Sequence, residues 1–565
     1  MRGRILFPLW LAVMVGCKDG PTSPQIQTAV GGLFREGSRL QVGEVLAVTA
    51  GEAQAIFLDG GADGSEYLLV PFNASDVSTN NLVIEVTGGN VRSPSGTLNP
   101  ALVGASPPGI APESDVPVPD WVFHQSLREQ EIHELTRLIP AARELRAMQA
   151  LRSVQPAQQV VPNVGDVLTI NASREGCANP DVRRARVAAV TDRAIVVEDL
   201  TNPPGGFTGE EFRSVGMTFD TLIYPVDTRN FGTPTDIDNN GRVIIFYTRV
   251  VNELTEPNSD SFVGGFFFGR DLFPREAAGR LGACATSNVA EIFYLLAPDP
   301  TGAVNGNVRS KEFVLRSTLG TVAHEFQHLI NAARRLYVNN APGFEEVWLN
   351  EGLSHIAEEL QFYAITPLEP RQNISVEMLR SSPQIVQAFN TYQVSNFGRY
   401  NRYLKNPDEE SLLGIDNLPT RGASWAFLRY AADHEPGADE NFFFRLVNSS
   451  TSGVRNLSNV LGANAIDFMQ TWTVSVFTDD GVRGIGPRYQ QPSWNFRSII
   501  PVFNDGRFPL EIIPLTGTQT TLTLKGGGGA FLRFGVAPGQ RAALTVLSGG
   551  AVPPERLRVS VVRLQ

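Results

Sequence analysis

With 565 residues, 42% of them apolar, the chain can bury several cores, and its length points to three or four domains. Its 53 glycines and 38 prolines suit many short strands better than an all-helical architecture. A formal net charge of −11 argues against nucleic acid as a partner and for a plain acidic, soluble surface.

Residues 1–17 read as a targeting segment, with Arg2 and Arg4 ahead of an apolar run from Ile5 to Val15. The ending Met14-Val15-Gly16-Cys17 resembles a bacterial lipobox, which implies cleavage before Cys17 and lipidation of its thiol. An ordinary secretory signal is the alternative. In both cases the run is too short to span a bilayer. Any membrane contact is therefore expected only through a lipid anchor at Cys17, with the mature chain extracytoplasmic. By resemblance to Gram-negative sorting, Lys18 after the cysteine points to the outer membrane; secretion is the other outcome. Cys177 and Cys284 are then left as a pair, expected to form a disulfide in an oxidising compartment, with two buried free thiols as the alternative.

Residues 18–27 form a tether. Residues 28–104 alternate in strand fashion, as in Tyr67-Leu68-Leu69-Val70 and Leu82-Val83-Ile84-Glu85-Val86, and predict an N-terminal β domain. A Pro-rich linker and an amphipathic helix, broken near Pro140, fill residues 105–155. This helix is either part of a propeptide or a clasp over a cleft. Its His124 and His133 share no helical face and read as surface residues.

Residues 156–480 predict the main domain. Thr208-Gly209-Glu210-Glu211 carries N-cap chemistry for a helix toward Ile223. Asp236, Asp238 and Asn240, with Gly241 following, place oxygen side chains as a Ca²⁺ loop does; a turn of Asx residues is the alternative. Tyr247 stands where an EF-hand has Glu, so an EF-hand is excluded. Gly264 to Phe268 reads as a loop, and Val289 to Leu296 as a strand. The run His324-Glu325-Phe326-Gln327-His328 then puts two imidazoles one turn apart on one helical face, able to bind one Zn²⁺, with Glu325 placed to act as general base. Downstream, Glu351 in Trp348-Leu349-Asn350-Glu351-Gly352-Leu353-Ser354 is far enough away for a second helix to return it to that face.

HEFQHLIN followed by WLNEGLSH resembles the gluzincin metallopeptidases, closest to the hyicolysin type. The resemblance spans about residues 219–432. It implies His324, His328 and Glu351 as zinc ligands, Glu325 as the base, and a protein or peptide substrate. The fold it implies is α+β: a zincin-like domain with a mixed sheet, an edge strand and active-site helices, here flanked by small all-β sandwich-like domains. In such proteases an edge strand binds extended peptide by main-chain pairing, which makes Asn288, Ala290 and Glu291 groove candidates, or else parts of an ordinary strand. Glu358 is placed to orient a ligand histidine, with a solvated face as its alternative. The related aminopeptidases supply an oxyanion donor as a Tyr on a later helix. That Tyr is missing here, leaving Arg421 or Tyr400 to serve. No GxMEN-type signature is present, which favours endopeptidase over aminopeptidase action. A surface binding or adhesion lipoprotein with a degenerate zinc site is the rival from another class. Residues 481–565 predict a C-terminal β domain.

Overall fold

The computed structural model describes residues 39–94, 110, 118–119, 121–152, 161–259, 261–275 and 283–565. The targeting segment and Cys17 lie outside them. Among the described residues no helix is long and apolar enough to cross a membrane.

The chain is mixed α/β. Its central sheet has six strands in the spatial order Gly265–Phe267, Ile292–Leu296, Val243–Thr248, Ala194–Asp199, Val182–Val190, Val167–Asn171. The middle three run parallel and are almost wholly buried, which fits their unbroken apolar runs IFYLL and VIIFYT. Ile292–Leu296 is therefore an interior strand. The edge belongs to Gly265–Phe267, paired antiparallel to it, where the sequence suggests a loop. Two glycines ahead of an aromatic run hide a strand signal that a buried parallel strand displays openly. The capping box at Thr208 forms as expected and starts the helix Gly209–Thr218.

Against this sheet lies Lys311–Tyr337, a helix capped by Ser310, and Val347–Ile365 packs on it in turn. Gly352 has a structural cause: a Cβ there would stand 2.8 Å from Leu428 Cδ1, so glycine lets the helix Leu418–His434 come close behind Val347–Ile365.

The two terminal β regions, expected as separate domains, make one sandwich. One sheet orders Val45–Thr49, Leu557–Arg563, Ser65–Asn73, Leu532–Val536 and Ile513–Pro514; the other orders Thr520–Leu524, Leu82–Gly89, Arg541–Leu547 and Ile56–Asp59. N- and C-terminal strands alternate through the four-stranded sheet and through the first four strands of the other. Every residue of Ser65–Asn73 is buried. Tyr67 and Leu69 point into the sandwich core, while Leu68, Val70 and Phe72 join the main core. The strand's period of two thus attaches the sandwich to the helical body.

A disulfide joins Cys177 to Cys284. The helices Trp121–His133 and Ile139–Arg152 dock on the main domain: Leu127, Ile139 and Ala142 are buried, and Arg143 donates to the carbonyls of Leu336, in the last turn of Lys311–Tyr337, and of Ala341 just beyond it.

Candidate metal centre

His324 and His328, one turn apart on Lys311–Tyr337, bring their Nε2 atoms within 3.2 Å of each other. Glu351, on Val347–Ile365, sets Oε2 3.4 Å from His324 Nε2 and Oε1 3.4 Å from His328 Nε2. Ligand atoms about 2.05 Å from a tetrahedral zinc lie about 3.3 Å apart; the two Nε2 atoms stand near that spacing, and the Glu351 carboxylate sets one oxygen at a similar distance from each. The three side chains are buried and could hold a metal ion. Glu351 Oε2 also lacks a hydrogen-bond partner, although Arg421 Nη2 stands 3.2 Å away.

Each ring is held through its other nitrogen. His324 Nδ1 donates to Glu358 Oε1 at 2.9 Å. His328 Nδ1 lies 3.0 Å from Ser354 Oγ, whose hydroxyl donates to Gln327 Oε1 at 2.6 Å. Both arrangements leave Nε2 as the lone-pair atom facing Glu351. Glu358 also bonds His355 Nδ1 at 3.1 Å, so this carboxylate bridges two imidazoles and is not solvated. Sequence spacing brought Ser354 to the right face without revealing its partner.

Charge is arranged around the carboxylates. Burial opposes ionisation of Glu351, but Arg421, followed by His328 and His324, outweighs it and holds this carboxyl well below the usual range. Burial would also lower His324, yet its bonds to Glu351 and Glu358 carry it up to about 9 in the metal-free chain. His328 is pushed down to about 3, chiefly by burial and then by Arg128. Burial raises Glu325, whose Oε2 accepts the Phe267 backbone N–H at 2.7 Å.

Arg421 reaches the site, but as a clamp. Its Nε and Nη2 form a two-pronged bond with Asp416 at 2.5 and 2.8 Å, and Nη2 faces Glu351. Tyr400, the other oxyanion candidate, is fully buried against Tyr403, Trp425 and Phe496. Enclosed by aromatic rings, its hydroxyl does not line the cleft, and that role does not fit it.

The groove candidates also sit elsewhere. Asn288 bonds Asp271 and Tyr294, and Ala290 is buried. Glu291 accepts from Thr235 Oγ1 and Ile237 N, which turns it toward the Asp236 loop and away from the cleft. Asp236, Asp238 and Glu291 form a group that could hold a cation, whereas Asn240 is spent on bonds within the loop to Asp238 and Arg242. Burial raises Asp238 to about 6 and Glu291 to about 8.

The cleft itself is lined by His324, Glu325, Gly265, Arg399, Arg421 and His124. His124 is 6% exposed, contrary to its reading as a surface residue. No local periodicity could signal this, because its helix arrives from far upstream. Arg399, 3.8 Å from Glu358 Oε2, likewise gave no signal in the sequence.

Part of the chain has a protease relative. Over 164 residues it is 29% identical to the neutral metalloprotease ShpI of Staphylococcus hyicus. The match covers 29% of this chain and 33% of that protein. No protein-family model matches the chain.

Proposed function

We propose that the chain is a zinc metalloendopeptidase, with His324, His328 and Glu351 as ligands and Glu325 as general base. The observation that carries this reading is the convergence of two imidazoles, their Nε2 atoms 3.2 Å apart, on the Glu351 carboxylate, which sets one oxygen 3.4 Å from each. The likeness to ShpI supports peptide bonds as the target. When bound, zinc would polarise the scissile carbonyl and acidify the attacking water. Glu325 takes the water's proton and returns it to the leaving amine; burial raises its proton affinity toward the range such a shuttle needs. Phe267 N–H holds one of its oxygens in place.

Substrate alignment falls to the edge strand. Gly264 bonds inward, its carbonyl accepting Leu296 N–H at 3.0 Å, and alternation turns the main-chain groups of Gly265 outward, while the Phe267 N–H is held by Glu325. Gly265 lines the cleft, so an extended peptide would add beside it as a further strand.

Export belongs to the same proposal: the Cys177–Cys284 disulfide supports an oxidising compartment, and the anchor would be Cys17. A calcium ion between Asp236, Asp238 and Glu291 would favour the ionised forms of Asp238 and Glu291, which burial opposes.

Purified chain loaded with zinc should cleave casein and N-terminally blocked peptides, lose cleavage on chelation, and regain it with zinc. Stoichiometric zinc without chelator-sensitive cleavage would favour the binding-protein alternative. Cleavage of free-amine peptides alone would favour an aminopeptidase.

A further inference from the structure

Helix Trp121–His133 closes the cleft although it belongs to none of the elements that carry the metal ligands. His124 lines the space beside His324 and Glu325, and its Nδ1 has no hydrogen-bond partner. Phe123 sets its ring edge-on against Phe266 of the edge strand, with centroids 5.1 Å apart. Arg128 reaches the ligand carboxylate directly, with Nε 3.3 Å from Glu351 Oε1. Its Nη1 donates to Glu131 at 2.7 Å, and Glu131 in turn accepts Gly269 N–H at 2.7 Å, just beyond the edge strand. Ahead of the helix, Val118–Pro119 pairs in parallel with Ser261–Phe262, just before that strand. One stretch of chain therefore follows the side of the cleft and crosses the metal position.

Little room is left at the metal position itself. The cavity beside His324 and Glu325 holds about 120 Å³. Sites for drug-sized ligands run from about 300 to 1,000 Å³, and an extended peptide needs at least as much.

We propose that Val118–Pro119 and Trp121–His133 form an inhibitory strap, locked by the Arg128–Glu351 and Glu131–Gly269 contacts, and that peptide reaches the site only when the strap lifts. The proposal rests on the peptidase reading. Arg128 places a positive charge against an oxygen that a dication would use, so strap docking and metal binding oppose each other. Beside its polar lock the strap buries Leu127 and rests Phe123 on Phe266, and Ile139–Arg152 behind it is fastened by buried Ile139 and Ala142 and by Arg143 on Lys311–Tyr337. The break at Leu135–Leu138 is the natural hinge between them. Excision of the whole N-terminal region is a poor release route, because Ser65–Asn73 sits inside the sandwich between two C-terminal strands. Lifting the strap leaves that strand in place.

The test uses the full chain carrying R128A and E131A together, beside wild type. Amide hydrogen exchange should rise across Trp121–His133 while Lys311–Tyr337 stays protected. Zinc, titrated against a chromophoric chelator, should bind about tenfold more tightly once the competing charge is gone. Casein cleavage should rise about tenfold or more, and a synthetic peptide of residues 118–133 should reverse the gain. Wild-type exchange in the strap with unchanged zinc affinity would overturn the proposal. So would a fall in cleavage by the zinc-loaded variant, which would put His124 and Arg128 in the catalytic set. Should neither chain cleave while exchange and zinc affinity shift as expected, the strap stands and the peptidase reading fails. If the double variant does not fold, E131Q alone is read by the same three measurements.

Discussion

Two buried acidic groups of the main domain, Glu351 and Glu291, differ in their surroundings. Around Glu351 the sequence supplies Arg128, Arg421 and two imidazoles, so the carboxylate stays ionised despite complete burial. Around Glu291 it supplies Asp236 and Asp238 and no cation among its bonded partners, so burial prevails and the carboxyl holds its proton up to about 8. The first group is kept charged by protein; the second is charged only when something else arrives. Burial alone therefore does not mark a working carboxylate. The charge of its neighbours does.

The strongest way to break this contrast is at the base. Glu325→Gln should keep zinc content and fold while casein cleavage drops about 10²- to 10⁴-fold, the usual contribution of a positioned proton shuttle. Cleavage within a few-fold of wild type would remove Glu325 from that role. Glu351→Gln takes away the charged ligand, and zinc measured by atomic absorption after dialysis should fall from one equivalent toward none. Retained zinc would mean that this cluster of His324, His328 and Glu351 is not the site. Glu358→Gln keeps the shape but weakens the hold on His324, so zinc affinity should fall about 10- to 100-fold, as for other carboxylates behind a histidine ligand. An unchanged affinity would make its bridge between His324 and His355 purely structural.

The smallest effect sharpens the other side. Glu291 titrates near 8 in the folded chain and near 4.5 when ordinary, so across that interval the folded chain carries a proton that the unfolded chain has lost. In calcium-free buffer its contribution to stability is full below about 4.5 and is lost as pH rises toward 8, by an amount on the order of a few kcal/mol. Urea melts should show that decline in wild type and a flatter profile in Glu291→Gln. Added calcium should flatten the wild-type profile as well. An identical slope in the variant would place the titration elsewhere.

The sequence carried the parts of the site that repeat at helical spacing. His324, Glu325 and His328 share one face by period, and Glu351, Ser354 and Glu358 share another, so two helices were enough to place them. The groove was misplaced because Ile292–Leu296 and an edge strand are both short apolar runs, and only neighbours decide which one is outermost. Tyr400 and Arg421 were chosen by type, and type says nothing about whether a ring cluster or an aspartate has already claimed the group. His124 and Arg128 were beyond local reasoning, since their partners lie on helices more than 190 positions downstream. The sandwich failed for the same reason on a longer scale: its two halves look self-sufficient, yet Glu66 pairs with Arg533, 467 positions away.

That last separation bears on how the molecule comes into being. A ribosome releases Ser65–Asn73 early, with apolar side chains on both faces and neither flanking strand yet made. Until Leu532–Val536 and Leu557–Arg563 emerge, both edges of this strand are open to any foreign strand it meets. Loss of a few dozen residues from the far end should therefore harm yield and solubility before it touches catalysis, and nascent chains should lean on holding factors through almost the whole of translation.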